Sequence, residues 1–424
     1  IIGAGLTGAG IANVSIDKDI KTILIDTNQE TLDGGLKQIT SQMEGQIKCK
    51  LITAAEKKIF LANLKPLDDY EKLRNADFVV ETESEEIESK HEIIKKLEKV
   101  VPNHCIIATN TSVLPIHDIV AVAQCPERVI GMNYFSPVDK MQMLEVIIAD
   151  KTSHETLAVA AKLGLDQKKM IVVVKDGPGF FVARCLSPML NEVVRLFQEG
   201  VSPQQVDKIT TQFGFSVGMA TLADEIGLDY SEYLTTFLIG LDYSEYLTTF
   251  LGKALGPRVQ GGSSELLADL TKAGFKGKKS GAGIYTYSAD GGKKSKKVPN
   301  SKAQEIVARY KLSSSEGASS VEYQQIRVVS RFVNEALICL EEGIISSPSD
   351  GDVASVFGLG FPPFWGGPFR FVDLYGAQNL IKQMERYGNI YSTVQFKPCQ
   401  LLIDYAKSGK KFYSYAKSGK KFYS

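Results

Sequence analysis

The sequence has 424 residues, of which 44% are hydrophobic and 23% are charged, as is usual for a globular protein of two or three domains. Its 49 basic residues equal its 49 acidic residues, so the chain lacks the basic excess of a typical nucleic-acid-binding protein. No apolar run approaches the roughly 20 residues that span a bilayer, so we expect no transmembrane segment. The six cysteines are widely separated, which predicts reduced thiols and no metal site.

Residues 1–176 alternate short apolar runs with amphipathic stretches, the pattern of a doubly wound parallel sheet. The apolar runs are rich in Val and Ile with little alternation, which is typical of strands buried on both faces. The chain starts at Ile1, two residues before a glycine turn, so we expect a shortened first strand and a longer parent protein. The other predicted strands are 21–26, 76–81, 105–109, 129–134, 143–149 and 170–174.

A glycine-rich turn follows the shortened first strand and opens a helix, with Gly3, Gly5 and Gly8 in a G-x-G-x-x-G pattern. The first glycine permits a tight turn, the second lets the backbone approach a pyrophosphate, and the third lets helix and strand pack closely. The pyrophosphate would then bind the N-terminus of the helix, beside Leu6 and Thr7. In this context the pattern predicts a dinucleotide site, and a purely structural turn is the alternative.

The second predicted strand ends in an acidic residue, Asp26, 23 residues after Gly3. A carboxylate at this position accepts hydrogen bonds from the adenosine ribose hydroxyls, and its charge would repel a 2′-phosphate. The sequence therefore predicts NAD, rather than NADP, as the cofactor.

The second half of the chain shows helical patterns and few strand-like runs. We predict an NAD-binding domain at 1–176, a first helical domain at 177–287 and a second helical domain at 321–404. A segment rich in Lys, Ser and Gly predicts a linker with one short helix at 288–320, and a duplicated tail follows at 405–424.

The two helical domains are predicted to be copies of one unit. Two pairs of glutamates are separated by the same interval, namely Glu192 with Glu199 and Glu335 with Glu342. In this alignment Arg184 corresponds to Arg331. Chance similarity is the alternative.

Two further repeats are identical copies. Residues 226–238 recur as 239–251, and residues 405–414 recur as 415–424. Copies without any difference indicate a recent duplication or an error in assembling the sequence, rather than an architectural repeat. A second 13-residue copy would add more than three helical turns, so we expect it to loop out and to be dispensable for stability.

Several short segments have a characteristic order along the chain: Val80-Glu81…Glu85, Asn110-Thr111-Ser112, Asn133-Tyr134-Phe135-Ser136-Pro137-Val138, Met143-Leu144-Glu145 and Asp176-Gly177-Pro178-Gly179-Phe180. Together they resemble the 3-hydroxyacyl-CoA dehydrogenase family, and the resemblance runs from Ile1 to about Tyr413. It implies an α/β Rossmann-type NAD-binding domain followed by two related all-α C-terminal domains. It also implies NAD-dependent oxidation of 3-hydroxyacyl-CoA to 3-oxoacyl-CoA in fatty-acid β-oxidation.

The resemblance implies roles for individual residues. Ser112 would hydrogen-bond the 3-oxygen of the substrate, and Glu85 and Lys90 would contact the nicotinamide ribose side of NAD. Glu145 would orient a catalytic histidine twelve residues earlier, which removes the hydroxyl proton. That position holds Asn133 in this chain. An amide is not a base at physiological pH but can polarise a ketone, so we expect binding to survive better than turnover.

Four histidines are present, namely His91, His104, His117 and His154. Of these, His117 is nearest in sequence to Ser112, but we do not expect it to replace the missing base. The other three are predicted to lie on the solvated surface.

The resemblance is greatest to the C-terminal half of multifunctional alpha subunits of mitochondrial fatty-acid oxidation. It therefore implies an upstream enoyl-CoA hydratase portion, a thiolase partner subunit, an oligomer and a mitochondrial location. Three functions stay open: the NAD-dependent dehydrogenase, a non-catalytic subunit that binds NAD and acyl-CoA, and another NAD dehydrogenase that acts on small hydroxy acids. The presence of Ser112 and Glu145 argues against the third.

Overall fold

The computed structural model describes residues 1–83, 85–225, 241–287, 297–313 and 320–413. They form a sheet domain followed by two helical units that pack on each other. Among the described residues, no helix is both long and apolar enough to cross a membrane.

The sheet domain contains seven strands among the described residues: β1 (Thr22–Ile25), β2 (Leu64–Leu67), β3 (Phe78–Glu81), β4 (Ile106–Thr109), β5 (Val129–Tyr134), β6 (Met143–Ile148) and β7 (Met170–Lys175). The strands are accompanied by the helices α1 (Leu6–Ile16), α2 (Gln29–Lys48), α3 (Ala54–Ala62), α4 (Ile87–Val100), α5 (Ile116–Ile119) and α6 (His154–Asp166). Ile2 bridges β1 and β3 in parallel, so it joins the β1–β2 pair to the β3–β4–β5–β6–β7 ladder. Ile2 therefore lies between β1 and β3 in the sheet.

The sheet is mixed, and the prediction of an entirely parallel sheet is wrong for β6 and β7. Strand β6 runs antiparallel to β5, and β7 runs parallel to β6. Residues 135–142 alone connect β5 to β6, whereas a parallel pair needs a crossover of a dozen residues or more. Strand β2 was not predicted, because Leu64-Lys65-Pro66-Leu67 lacks the branched apolar residues that mark a strand.

The helical half begins with α7 (Val182–Gln198), α8 (Pro203–Phe213), α9 (Met219–Glu225), α10 (Leu241–Leu255) and α11 (Ser264–Lys272). The hairpin strands β8 (Tyr285–Tyr287) and β9 (Lys297–Pro299) follow, so this half is not purely α-helical. The predicted linker contains β9 and one helix, α12 (Ser301–Arg309), with Ala303 and Ile306 buried. The last helices are α13 (Val321–Glu341), α14 (Pro348–Leu359), α15 (Pro368–Tyr375), α16 (Ala377–Ile390) and α17 (Gln400–Ser408).

The two helical units meet through the long helices α7 and α13, which exchange buried ion pairs. Arg184 on α7 lies 2.7 Å from Glu335 and 2.7 Å from Glu342. In return, Arg327 lies 2.6 Å from Glu192 and 2.7 Å from Glu199. Arg184 precedes Glu192 and Glu199 by the same intervals by which Arg327 precedes Glu335 and Glu342. The ion pairs therefore support the predicted repeat.

The alignment of Arg184 with Arg331 is wrong by one helical turn. Arg331 instead donates to the backbone oxygen of Gln260 at 2.6 Å. Arginines at 327 and 331 lie on the same side of α13, so sequence spacing alone did not distinguish them.

The identical repeats fall partly outside the described residues. Residues 226–238 and 415–424 lie there, whereas residues 241–251 of the second internal copy form the start of α10. The predicted domain boundary at 404 falls inside α17, and the backbone amides of Phe412 and Tyr413 donate to Asp373. Residues 405–413 therefore pack as part of the second helical unit.

Candidate functional site

The glycine turn lies at the centre of the sheet and opens α1. Gly3 has φ +89°, and a Cβ on Gly8 would lie 1.8 Å from the carbonyl oxygen of Gly3, so a side chain at Gly8 would separate helix and strand. A Cβ on Gly5 would meet nothing within 4 Å. Gly5 provides no side-chain cap, so the first amides of α1, at Leu6 and Thr7, have no side-chain acceptor from the N-cap residue. This geometry fits a pyrophosphate group.

Asp26 lies beside this turn, directly after β1. Its Oδ2 accepts from the backbone amide of Ala4 at 2.9 Å, and its Oδ1 accepts from the amide of Asn28 at 2.8 Å. These bonds hold the carboxylate at the edge of the glycine turn, and each oxygen keeps a lone pair for a ribose hydroxyl. The contact with ribose stays a prediction, and the position of Asp26 fits it.

Lys90 does not lie where the sequence placed it. Its side chain is 0% exposed, and its Nζ donates to both carboxylate oxygens of Glu81, at 3.1 and 2.9 Å, and to the carbonyl oxygen of Asn110 at 3.0 Å. All three ammonium protons are therefore used inside the protein. Lys90 holds the ends of β3 and β4 together, and the predicted contact with the cofactor is corrected to this structural role.

Glu85 and Ser112 are brought together after β3 and β4. Glu85 Oε1 accepts from the backbone amide of Ser112 at 2.7 Å and from its hydroxyl at 3.0 Å. Glu85 Oε2 accepts from the hydroxyl of Thr111 at 2.6 Å. The carboxylate therefore fixes the orientation of the Ser112 side chain. The contact of Glu85 with the nicotinamide ribose stays a prediction.

Asn133 and Glu145 face each other across the antiparallel strands β5 and β6. Asn133 Nδ2 donates to Glu145 Oε2 at 2.8 Å. Glu145 Oε1 accepts from the backbone amides of Phe181 at 3.2 Å and Val182 at 3.0 Å, at the start of α7. Burial raises the pKa of Glu145 to about 7, although these three hydrogen bonds favour the charged form. The carboxylate is hydrogen-bonded to the side chain at 133. Its role in orienting a catalytic group there stays a prediction.

Strand pairing brings Ser112 and Asn133 to one edge of the sheet. Strands β4 and β5 are parallel neighbours with Thr109 opposite Gly131, so both residues lie toward the carboxyl ends of adjacent strands. The side chain of Asn110 reinforces this arrangement, because its Oδ1 accepts from the backbone amide of Tyr134 at 3.0 Å. The predicted substrate and cofactor residues, Lys90 apart, therefore lie along the same edge of the sheet.

The sequence analysis missed Glu83, which follows β3. Burial, together with the nearby carboxylates of Asp26 and Glu81, raises its pKa to about 7. No signal in the sequence pointed to it, because its proximity to Asp26 arises only in the folded chain. His117 pairs with Asp176, with 2.7 Å between Nδ1 and Oδ2, and it has no contact with Ser112 or Asn133 among the described residues.

The first helical unit covers this edge of the sheet. Val113, which directly follows Ser112, is buried in an apolar cluster with Leu247 and Leu251 of α10. Leu251 also lies against Gly179, where a Cβ would approach it to 2.9 Å. Residues 241–251 of the second repeat copy therefore pack against the segment that carries Ser112, and the expectation that this copy loops out is wrong for them.

Two family models match this chain. One, described as the NAD binding domain of 3-hydroxyacyl-CoA dehydrogenase, matches residues 1–177. The other, described as the C-terminal domain of the same enzyme, matches residues 179–287 and again 325–424. The chain belongs to the 3-hydroxyacyl-CoA dehydrogenase family. The predicted family, the Rossmann-type NAD-binding domain and its repeated C-terminal domain are confirmed.

A relative in Shewanella loihica, the fatty acid oxidation complex subunit alpha, is 38% identical over 416 residues. The match covers 97% of this chain and 55% of the relative, so this chain spans about half the length of the curated relatives it matches. Among solved structures, a 3-hydroxybutyryl-CoA dehydrogenase from Escherichia coli is similar, with a TM-score of 0.80, 25% identity and coverage of 96% of this chain and 98% of that one. The (S)-3-hydroxybutyryl-CoA dehydrogenase of Ralstonia eutropha has a TM-score of 0.62 and 31% identity, and it covers 68% of this chain and 98% of its own.

Proposed function

We propose that this protein oxidises 3-hydroxyacyl-CoA to 3-oxoacyl-CoA with NAD, and that Asn133 makes this reaction slow. The arrangement of Asn133 on Glu145 beside Ser112, at the end of the sheet that carries the glycine turn, supports the proposal. Bound NAD would accept the hydride from C3 of the substrate. The amides of Leu6 and Thr7 and the carboxylate of Asp26 are the groups of this chain that would hold it.

Of the described residues, the two that we propose to contact the 3-oxygen, Ser112 and Asn133, supply orientation but no base. Ser112 would bind the 3-oxygen, with its hydroxyl held by Glu85. Asn133 would contact the same oxygen but does not accept its proton, so the proton must pass to water. General-base assistance contributes about 10²–10⁴-fold to such rates, and this is the factor that we expect the protein to lack.

A non-catalytic subunit that binds NAD and acyl-CoA is the second candidate, and the amide at 133 favours it. In either case the proposed partners are an enoyl-CoA hydratase portion and a thiolase subunit, within an oligomer. The match to the alpha subunit of a fatty acid oxidation complex supports such an assembly. A mitochondrial location belongs to the same proposal and rests on the sequence resemblance.

NADH formation from 3-hydroxybutyryl-CoA by the native protein and by Asn133→His tests the proposal. An imidazole at this position would be held by Glu145, so the variant should be faster by about 10²–10⁴-fold. Titration with NAD verifies that both proteins are folded and should give similar affinities. Equal rates would show that another group supplies the base. No activity in the histidine variant, despite NAD binding, would favour the non-catalytic subunit.

A further inference from the structure

Helix α14 of the second helical unit lies against the sheet domain beside the antiparallel strands β5 and β6. Gly358, near the end of α14, is buried, and it has no side chain to hold the helix away from its neighbours. A Cβ at this position would lie 3.3 Å from Cγ2 of Val182, 3.4 Å from Cγ of Met143 and 3.8 Å from Cζ of Phe135. At Gly358 the backbone of the second unit therefore approaches the candidate site closely.

The three residues that this glycine meets surround the hydrogen bond from Asn133 to Glu145. Met143 and Glu145 are two residues apart in β6, so their side chains lie on the same face of the strand. Phe135 follows β5, two residues after Asn133. The backbone amide of Val182 itself donates to Glu145 Oε1 at 3.0 Å. A displacement of any of the three would therefore change the geometry of this hydrogen bond.

Helix α14 is held in place at both ends. Before the helix, the carbonyl oxygen of Ile344 accepts from the backbone amide of Lys175 in β7 at 2.8 Å. After the helix, Phe361 is buried, and the centre of its ring lies 5.5 Å from that of Phe332 in α13. Because both ends are fixed, α14 is not free to withdraw, and a side chain at position 358 would displace its neighbours in the sheet domain.

We propose that Gly358 is a positioning residue, through which the second helical unit sets the distance between Glu145 and the side chain at position 133. It would act through Phe135, Met143 and Val182 and not by touching the substrate. Close-packed interiors transmit such displacements, and a misplacement of about 1 Å in an orienting group can lower a rate about 10²-fold. The inference rests on the proposed function only in taking position 133 to face the 3-oxygen of the substrate.

The change Asn133→His makes this distance measurable. An ionised Glu145 beside an imidazole favours the charged ring and raises its pKa. The native protein has four histidines, so the additional histidine signal in the NMR spectrum of Asn133→His comes from the introduced ring. Adding Gly358→Leu should lower the pKa of this ring by about 1, because the carboxylate moves away from it. Gly45→Leu is the matched control and should leave that pKa unchanged, because a Cβ on Gly45 would meet nothing within 4 Å.

Separate titrations with NAD verify the folding of each variant. If Gly358→Leu does not fold, Gly358→Ala takes its place and should lower the pKa by less, because its Cβ would still press on Val182. An unchanged pKa in the folded variant would overturn the inference. An unchanged pKa on adding Glu145→Gln to Asn133→His would also overturn it, since the carboxylate would then have no influence on position 133. These measurements do not depend on turnover, so an inactive Asn133→His protein would count against the proposed function alone.

Discussion

The buried carboxylate of Glu145 should make the stability of the protein depend on pH in a defined direction. Its pKa is raised from 4.5 in its ordinary state to about 7 in the folded protein, mainly by burial. Between these two values the folded chain keeps a proton that the unfolded chain releases. The contribution of Glu145 is therefore fully present below pH 4.5 and is lost as the pH rises to 7.

The size of the effect follows from the shift. Each pKa unit corresponds to about 1.4 kcal/mol, so the free energy of unfolding should fall by roughly 3 kcal/mol through this group. The side chain is 0% exposed, so solvent does not reduce the effect much. Glu145→Gln removes the titrating group and should remove this part of the pH dependence.

Urea unfolding followed by far-ultraviolet circular dichroism, at pH 5 and pH 8, measures the difference. Between pH 5 and pH 8 the free energy of unfolding of the native protein should fall by about 3 kcal/mol more than that of Glu145→Gln. Burial also raises the pKa values of Asp224 and Asp352 to about 6, but their effects are common to both proteins and cancel. Glu305→Gln, on the exposed face of α12, is the matched control. The same loss in native protein and Glu145→Gln would refute the desolvation of this carboxylate.

Two further predictions concern the cofactor and the internal repeat. Calorimetry should show tighter binding of NAD than of NADP. Asp26→Asn should reduce this difference in affinity, because it removes the charge that repels the 2′-phosphate of NADP. Equal affinities of the native protein for NAD and NADP would contradict the prediction of NAD as the cofactor. Deletion of 239–251 gives the same chain as deletion of 226–238, so one copy remains to form α10. A thermal melt should therefore show unchanged or higher stability, whereas a clear loss would mean that both copies are structural.

The glycine turn was predictable because its geometry is local. A side chain at Gly8 would collide with the carbonyl oxygen of Gly3, and this requirement is visible in the spacing alone. The antiparallel pairing of β5 and β6 also had a signal, because residues 135–142 are too few for a parallel crossover. The register that places Glu145 opposite Asn133 had none in the composition of either strand, and the link between the two positions came only from the resemblance.

The buried position of Lys90, which the sequence analysis missed, was indicated by the sequence of α4. Lys90, Ile94 and Leu97 share one face of α4, and all three side chains are buried. A lysine on the apolar face of a helix requires a buried partner, and the residue that ends the neighbouring strand, Glu81, provides it. The hydrogen bonds of Glu85 to residues 111 and 112 had no comparable signal, since they depend on how two loops meet.

The reciprocal ion pairs between α7 and α13 have a consequence for how this chain tolerates mutation. If two separate copies of one polypeptide met through such helices, one altered codon would change the interface twice. Here each codon is used once, so replacement of Arg184 disturbs its pairs with Glu335 and Glu342 and leaves those of Arg327 in place. The two halves of this contact can therefore change one at a time, each while the other still holds the units together.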